Sequence, residues 1–140
     1  MSSSGTIIIV EDDTDDREIL ESIIVELDIS NKVKWFEETK SAFAFLKNSK
    51  ENIFMIFSDI NLPGHSGLEF KRAIDADVEL RSKSIPFVFL STDPSQRDVN
   101  EAYPLMNVQG FFKKGKTYND MKAMLKYIFA YWKFSIHPSP

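Results

Sequence analysis

Apolar side chains fall along the chain in two alternating kinds of block, short unbroken runs and longer stretches with helical spacing. Thr6-Ile7-Ile8-Ile9-Val10 is rich in β-branched residues and has no polar alternation, the pattern of a strand covered on both faces in a parallel sheet. From Thr14 to Leu27 the residues Ile19, Leu20, Ile23, Ile24 and Leu27 recur at helical spacing, while Asp15, Asp16, Glu18 and Glu26 take the remaining surface. This predicts an amphipathic helix. The alternation repeats with a short strand at Val33 to Phe36, a helix at Thr39 to Asn48 carrying Phe43 and Leu46, and a buried strand at Ile53 to Phe57. Ser66-Gly67-Leu68-Glu69 reads as a capping box, in which a serine and an acid three residues later satisfy two free amides reciprocally, and it opens a helix ending near Asp77.

Phe87-Val88-Phe89-Leu90 is a fourth apolar strand, and Asp93-Pro94 offers a cap and a first-turn proline for the helix after it. Gly110-Phe111-Phe112-Lys113 is a fifth strand, and Thr117-Tyr118-Asn119-Asp120 opens a final helix with Met121, Met124, Leu125, Ile128, Phe129 and Trp132 as its buried stripe. Strands alternating with helices imply βαβ crossovers and a doubly wound α/β fold, a parallel sheet wrapped on both faces. Residues 1–5 read as a flexible leader, 6–134 as the domain, and 135–140, with two prolines and two serines, as a frayed tail.

Length and composition narrow the class. The 140 residues are 43% hydrophobic and 27% charged, with 12 Phe, 4 Tyr and 2 Trp, so the chain can bury one core and disorder is excluded. The net charge of −4 gives no global positive field to draw it to nucleic acid or an anionic membrane. Absence of cysteine removes disulfides, zinc–thiolate sites and thiol nucleophiles together. No apolar run approaches the roughly 18 residues of a membrane span, and the first is too short for a secretory signal. The expectation is a soluble, cytoplasmic, single-domain protein that binds neither nucleic acid nor membrane.

In an open parallel sheet, ligands bind beyond the carboxyl ends of the strands. Those ends carry Glu11-Asp12-Asp13, Ser58-Asp59-Ile60-Asn61, Ser91-Thr92-Asp93 and Lys113-Lys114-Gly115. Gathered carboxylates repel one another until one is protonated or a hard cation binds, and an oxygen-only set suits Mg²⁺. Asp13, Asp15 and Asp16 read more simply as acids at the positive end of the following helix. Glu11 and Asp12, which precede that helix, read with Asp59 as a metal cluster.

Taken in order, Val10-Glu11-Asp12-Asp13, Asp59-Ile60-Asn61-Leu62-Pro63-Gly64 with Gly67 and Glu69, Ser91-Thr92 and Lys114 resemble the receiver domain of two-component response regulators, of the stand-alone, chemotaxis-regulator-like kind. The resemblance runs from Thr6 to about Phe134. It implies a five-stranded flavodoxin-like (βα)5 sheet of order 2-1-3-4-5, with Asp59 as phosphoacceptor for a histidine kinase or phosphotransfer protein. It also implies Mg²⁺ held directly by Asp12, through water by Glu11, by the second oxygen of Asp59, and by the backbone carbonyl of Asn61. Lys114 and Ser91 would each meet a phosphoryl oxygen. Such a protein catalyses only its own phosphorylation and dephosphorylation and is not otherwise an enzyme.

Several positions stay open on sequence alone. Lys113 competes with Lys114, and Thr92 with Ser91. Phe111 matches the family's aromatic switch or is a fixed core residue. Asn61 and Asp93 lie where the family tunes phosphate lifetime. Gly115 replaces a proline usual in the family, which predicts a trans or more mobile loop. His65 and His137 read as exposed loop and tail residues. Tyr127, Tyr131 and Phe134 form a second apolar set on the last helix. They belong either to a surface, made with the fourth helix and fifth strand, that binds a downstream protein or a second copy, or to the side facing the first helix. The competing functions are a phosphorylation-independent binding module of the same fold and a Mg²⁺-dependent phosphohydrolase, whose usual second acid would fall at Asn61.

Overall fold

The computed structural model describes residues 5–62, 64–92, 96–105 and 108–138. Its element order is β1 (Thr6–Val10), α1 (Thr14–Glu26), β2 (Val33–Phe36), α2 (Thr39–Asn48), β3 (Ile53–Ser58), α3 (Gly67–Ala76), α4 (Val78–Ser82), β4 (Phe87–Ser91), α5 (Gln96–Leu105), β5 (Gly110–Lys113) and α6 (Tyr118–Phe134). The strands form one parallel sheet in the order β2-β1-β3-β4-β5. This is the doubly wound, flavodoxin-like arrangement, with β3 at the centre and β1 and β4 on either side of it.

The unbroken apolar runs have the burial they predict: every residue of β1, β3 and β4 is buried, whereas edge strand β2 is half-buried. Alternation along each strand splits the core in two. Ile8, Val10, Ile56, Phe87 and Phe89 pack under α2, α3 and α5. Ile7, Ile9, Met55, Phe57 and Val88 pack under α1 and α6, against Leu20, Ile23, Leu125, Ile128 and Trp132. Met124 and Phe129 flank that stripe, partly buried.

Local chemistry sets the helix starts. Asp13 caps α1 by accepting the Asp16 amide at 3.0 Å, and Thr117 caps α6 by accepting the Asp120 amide at 3.1 Å. At α3 only half of the expected capping box forms. Ser66 Oγ accepts the Glu69 amide at 3.2 Å, while the Glu69 carboxylate turns to His65 Nδ1 at 2.9 Å. Helix α4 is absent from the sequence expectation because five residues are too few for a periodic pattern. Its local signal is Asp77, which ends α3 and accepts the Leu80 amide at 3.0 Å. Because of α4, the helix expected fourth is α5 and the one expected fifth is α6. The Asp93-Pro94 cap lies outside the described residues.

Within the described part of the tail, His137 meets the core. His137 Nε2 lies 2.7 Å from the Phe54 carbonyl oxygen, with its ring 5.6 Å from that of Phe54 and 5.2 Å from that of Trp132. Phe54 is the residue at which the β1–β3 register shifts, since Thr6 pairs with Ile53 and Ile7 with Met55. The imidazole therefore meets a carbonyl at an irregularity of the ladder, and His137 is half-buried rather than exposed. His65 is exposed, as expected.

Candidate phosphoacceptor site

Backbone hydrogen bonds align the strand ends. The Glu11 amide donates to the Phe36 carbonyl at 2.9 Å, the Asp59 amide to Val10 at 3.1 Å, and the Lys114 amide to Ser91 at 2.8 Å. Each residue just past its strand is thereby fixed to the neighbouring strand, and the side chains converge at one edge.

Glu11, Asp12 and Asp59 each offer a carboxylate oxygen, all within 4.8 Å of one another. Glu11 is buried, Asp59 nearly so, and Asp12 faces solvent. Asp59 Oδ1 accepts the amides of Ile60 at 2.7 Å and Asn61 at 3.2 Å, which fixes the carboxylate plane. Its Oδ2 accepts from Lys114 Nζ at 3.1 Å. The same ammonium donates to Glu11 Oε2 at 2.6 Å and Asp16 Oδ2 at 2.9 Å. The three donors of Lys114 are thus all used.

Of the paired candidates, Lys114 rather than Lys113 enters the site, because Phe112 packs under α6 and Phe111 under the opposite layer, leaving Lys113 exposed. Of the two hydroxyls, Ser91 is buried and Thr92 exposed. Ser91 Oγ is, among the described residues, a buried side-chain oxygen with no hydrogen-bond partner. Phe111 is half-buried, with its ring 5.5 Å from that of Phe89.

Electrostatics follow from this packing. Burial alone would lower the pKa of Lys114. The hydrogen bonds to Glu11 and Asp16 and the charges of Glu11 and Asp59 outweigh burial and hold it above its ordinary value, so the ammonium stays charged. Burial is the leading influence on Glu11 and raises its carboxyl above the usual range. Lys114 opposes that rise, the Asp59 charge adds to it, and the Asp13 amide opposes it. One ammonium is paired with the carboxylates of Glu11, Asp16 and Asp59, and that of Asp12 lies beside Glu11 and Asp59, so the acids outnumber the cation. An oxygen-only donor set with such an excess fits a hard divalent cation such as Mg²⁺.

Two glycines admit close backbone approach. A Cβ on Gly67 would lie 2.1 Å from the Asp59 carbonyl oxygen, and the Gly67 amide donates to the Ile60 carbonyl at 2.8 Å. A Cβ on Gly115 would lie 2.6 Å from the Asp120 Cβ and 3.0 Å from the Met121 amide nitrogen. The first turn of α6 therefore occupies the space that any side chain at this position would need. Among the described residues no peptide bond is cis.

By sequence, Asp16 reads only as an acid at the helix end. The structure instead aims its side chain at Lys114, which lies 98 positions away. Local spacing carried no signal of this contact. Asp13 does act as a cap, as expected.

A parallel sheet of this order with a carboxylate cluster beyond its central strands and a lysine among them defines the receiver class. The family model described as the response regulator receiver domain matches residues 7–126, and the chain belongs to that family, a domain of two-component signalling. Chemotaxis protein CheY-3 of Vibrio cholerae is 28% identical over 129 residues, spanning 92% of this chain and 95% of that protein. The crystal structure of the phosphorylated cyanobacterial phytochrome response regulator RcpA is similar at a TM-score of 0.85 and 25% identity, over 96% of this chain and 99% of that one. The Mn²⁺-bound form of response regulator Rcp1 is similar at a TM-score of 0.81 and 25% identity, over 94% and 96% of the two chains. Among the described residues, no helix is long and apolar enough to cross a membrane.

Proposed function

We propose that the chain is a phosphorylatable receiver in which Asp59 accepts a phosphoryl group from a histidine kinase or histidine phosphotransfer protein. A carboxylate oxygen of Asp59 forms the new O–P bond as the P–N bond of the phosphohistidine breaks, and the imidazole leaves with that electron pair. The observation that carries this reading is the setting of Asp59: its Oδ1 is held by two main-chain amides and its Oδ2 lies 3.1 Å from the Lys114 ammonium. Such a carboxylate is oriented for attack and has a cation beside it to receive the charge of the transferring group.

Glu11, Asp12, Asp59 and the main-chain carbonyl of Asn61 would hold Mg²⁺, a role supported by the shared fold with a manganese-bound relative and by the donor set here. When bound, the ion neutralises charge on the phosphoryl oxygens. Lys114 pairs with one of those oxygens. The free Ser91 hydroxyl is available to a second, which would satisfy it. Phe111, half-buried against Phe89, is the residue that can follow Ser91 inward. Asn61 keeps its side chain exposed beside Asp59, where it can influence attack by water and so phosphate lifetime. Asp93, assigned the same role from sequence, lies outside the described residues.

Output is proposed to run through protein contact at the α5–β5–α6 surface. Tyr127, Tyr131 and Phe134 are 77%, 55% and 91% exposed. The alternative, that they cover α1, does not hold: the α1 side of α6 is taken by Tyr118 and Lys122, both bonded to Glu26. A groove of ≈ 230 Å³ between Val88, Phe112, Tyr127, Tyr131 and Trp132 adjoins them. Exposed aromatic patches of this kind serve as interfaces.

The test is intact mass after incubation with acetyl phosphate, with and without Mg²⁺, for the wild type and Asp59→Asn. One phosphoryl group gained only with Mg²⁺ and only by the wild type is expected. No gain in any condition would instead favour a binding module independent of phosphorylation. Turnover of a generic phosphate ester would favour a hydrolase. Sedimentation with and without beryllofluoride tests the second-copy reading of the aromatic surface, which a monomer in both states removes.

A further inference from the structure

Lys114 is held by three carboxylates that differ in one respect. Glu11 and Asp59 belong to the oxygen cluster suited to a cation, whereas Asp16, 2.9 Å from Nζ, does not. Asp16 also belongs to a separate element. It lies in the first turn of α1, and its amide is bonded to the cap residue Asp13 at 3.0 Å. Lys114 has the opposite situation. It lies one residue beyond the end of β5, before a glycine, and its side chain borders a cleft of ≈ 320 Å³ formed with Asp16, Leu20, Thr117, Tyr118 and Met121. The three hydrogen bonds of its ammonium all go to those carboxylates. A cation on Glu11 and Asp59 competes for two of the three.

We propose that Asp16 is a positioning residue, which keeps the Lys114 ammonium aimed at the phosphoryl site when Glu11 and Asp59 are engaged elsewhere. The inference rests on the reading of Asp59 as phosphoacceptor and extends it to a residue outside the cluster. In the phosphorylated protein Lys114 would divide its donors between Asp16 and a phosphoryl oxygen. The hydrogen bond to Asp16 fixes the direction of the side chain, and the remaining donors are left for the incoming group.

The test compares wild type, Asp16→Ala and Asp16→Asn in saturating Mg²⁺, following the Lys114 ammonium by ¹⁵N-detected lysine NMR and phosphorylation by acetyl phosphate through intact mass. Both variants remove the charge, but only asparagine keeps an acceptor oxygen on the same stem. Loss of the protected Lys114 signal and a fall of roughly tenfold or more in rate are expected for Asp16→Ala, as for a lost hydrogen bond to a charged group. Asp16→Asn is expected to keep the signal and most of the rate. Equal effects of the two variants would mean that Asp16 acts through its charge and would overturn the proposal, as would a wild-type signal and rate in Asp16→Ala. If the wild type takes up no phosphoryl group, the Asp59 reading fails by itself, and the Lys114 signal still decides whether Asp16 holds the lysine.

Discussion

The α-carbon of Gly67 sits against the main-chain carbonyl of Asp59, so closely that a Cβ there would come within 2.1 Å of the carbonyl oxygen and 3.0 Å of its carbon. The first turn of α3 is thus packed directly on the backbone of the site.

Gly67→Ala is therefore expected to push α3 and the 59–61 segment apart. Overpacking of this kind costs about 1–3 kcal/mol, to be read as a lower urea midpoint. The displaced backbone should also slow phosphorylation by acetyl phosphate. A variant with unchanged stability and rate would mean that the loop yields freely at this point.

Ser91 offers a test with opposite signs in its two readouts. Its hydroxyl is buried without a partner, and an unsatisfied buried group of this kind costs about 1–3 kcal/mol. Ser91→Ala should accordingly be no less stable than the wild type, and more stable if the small void closes. It should nevertheless bind beryllofluoride more weakly, since the hydroxyl then has a partner to lose. Equal affinity in calorimetric titration would remove Ser91 from the phosphoryl contacts.

Mg²⁺ stabilisation should depend on pH through Glu11. Burial, reinforced by Asp59 and opposed by Lys114, raises its carboxyl above the ordinary 4.5. A group with a raised folded pKa contributes stability below its unfolded value and loses that contribution as pH rises through the folded value. The metal-free protein loses this contribution above 4.5, just as the deprotonated form that a cation needs becomes populated. The rise in Tm caused by Mg²⁺ should therefore grow as pH is raised above 4.5 at constant ionic strength. A rise independent of pH would exclude Glu11 from the cation site.

Gly115 is expected to resist substitution because the first turn of α6 packs on it. Its missing side chain is replaced by Asp120 and Met121, and its amide lies 3.0 Å from the Met121 sulfur. Gly115→Ala should cost about 1–3 kcal/mol, measured by chemical unfolding, and Gly115→Pro should cost more because it also removes the amide. If proline at this position stabilises the protein, the close approach of α6 is not a constraint.

How far the sequence could be read depended on whether a feature was local. The unbroken apolar runs identified β1, β3 and β4, because burial on both faces excludes polar residues from them. The motif residues at the strand ends identified Glu11, Asp12, Asp59 and Lys114 and gave their common edge once the strand order was known. Contacts between distant segments could not be read in this way. An acid in the first turn of a helix looks the same whether it is solvated or bonded, so Asp16 was read as a helix-end charge until α1 and β5 were brought together. His137 follows two residues of tail after α6 and looks unstructured until Phe54 and Trp132 lie beneath it. Helix α4 was missed because one turn has no period.

The distribution of the site along the chain bears on how it forms. Glu11 and Asp59 arise in the first half, whereas Lys114 is 103 positions from Glu11 and 55 from Asp59. Bringing so distant a cation to the acids requires most of the parallel sheet to be assembled, and long-range pairing of this sort is a late and slow part of folding. Until β5 docks, the acids lack their internal counterion and repel one another. An external divalent cation can fill that role during refolding, so the ion suited to the finished site would also ease the route to it.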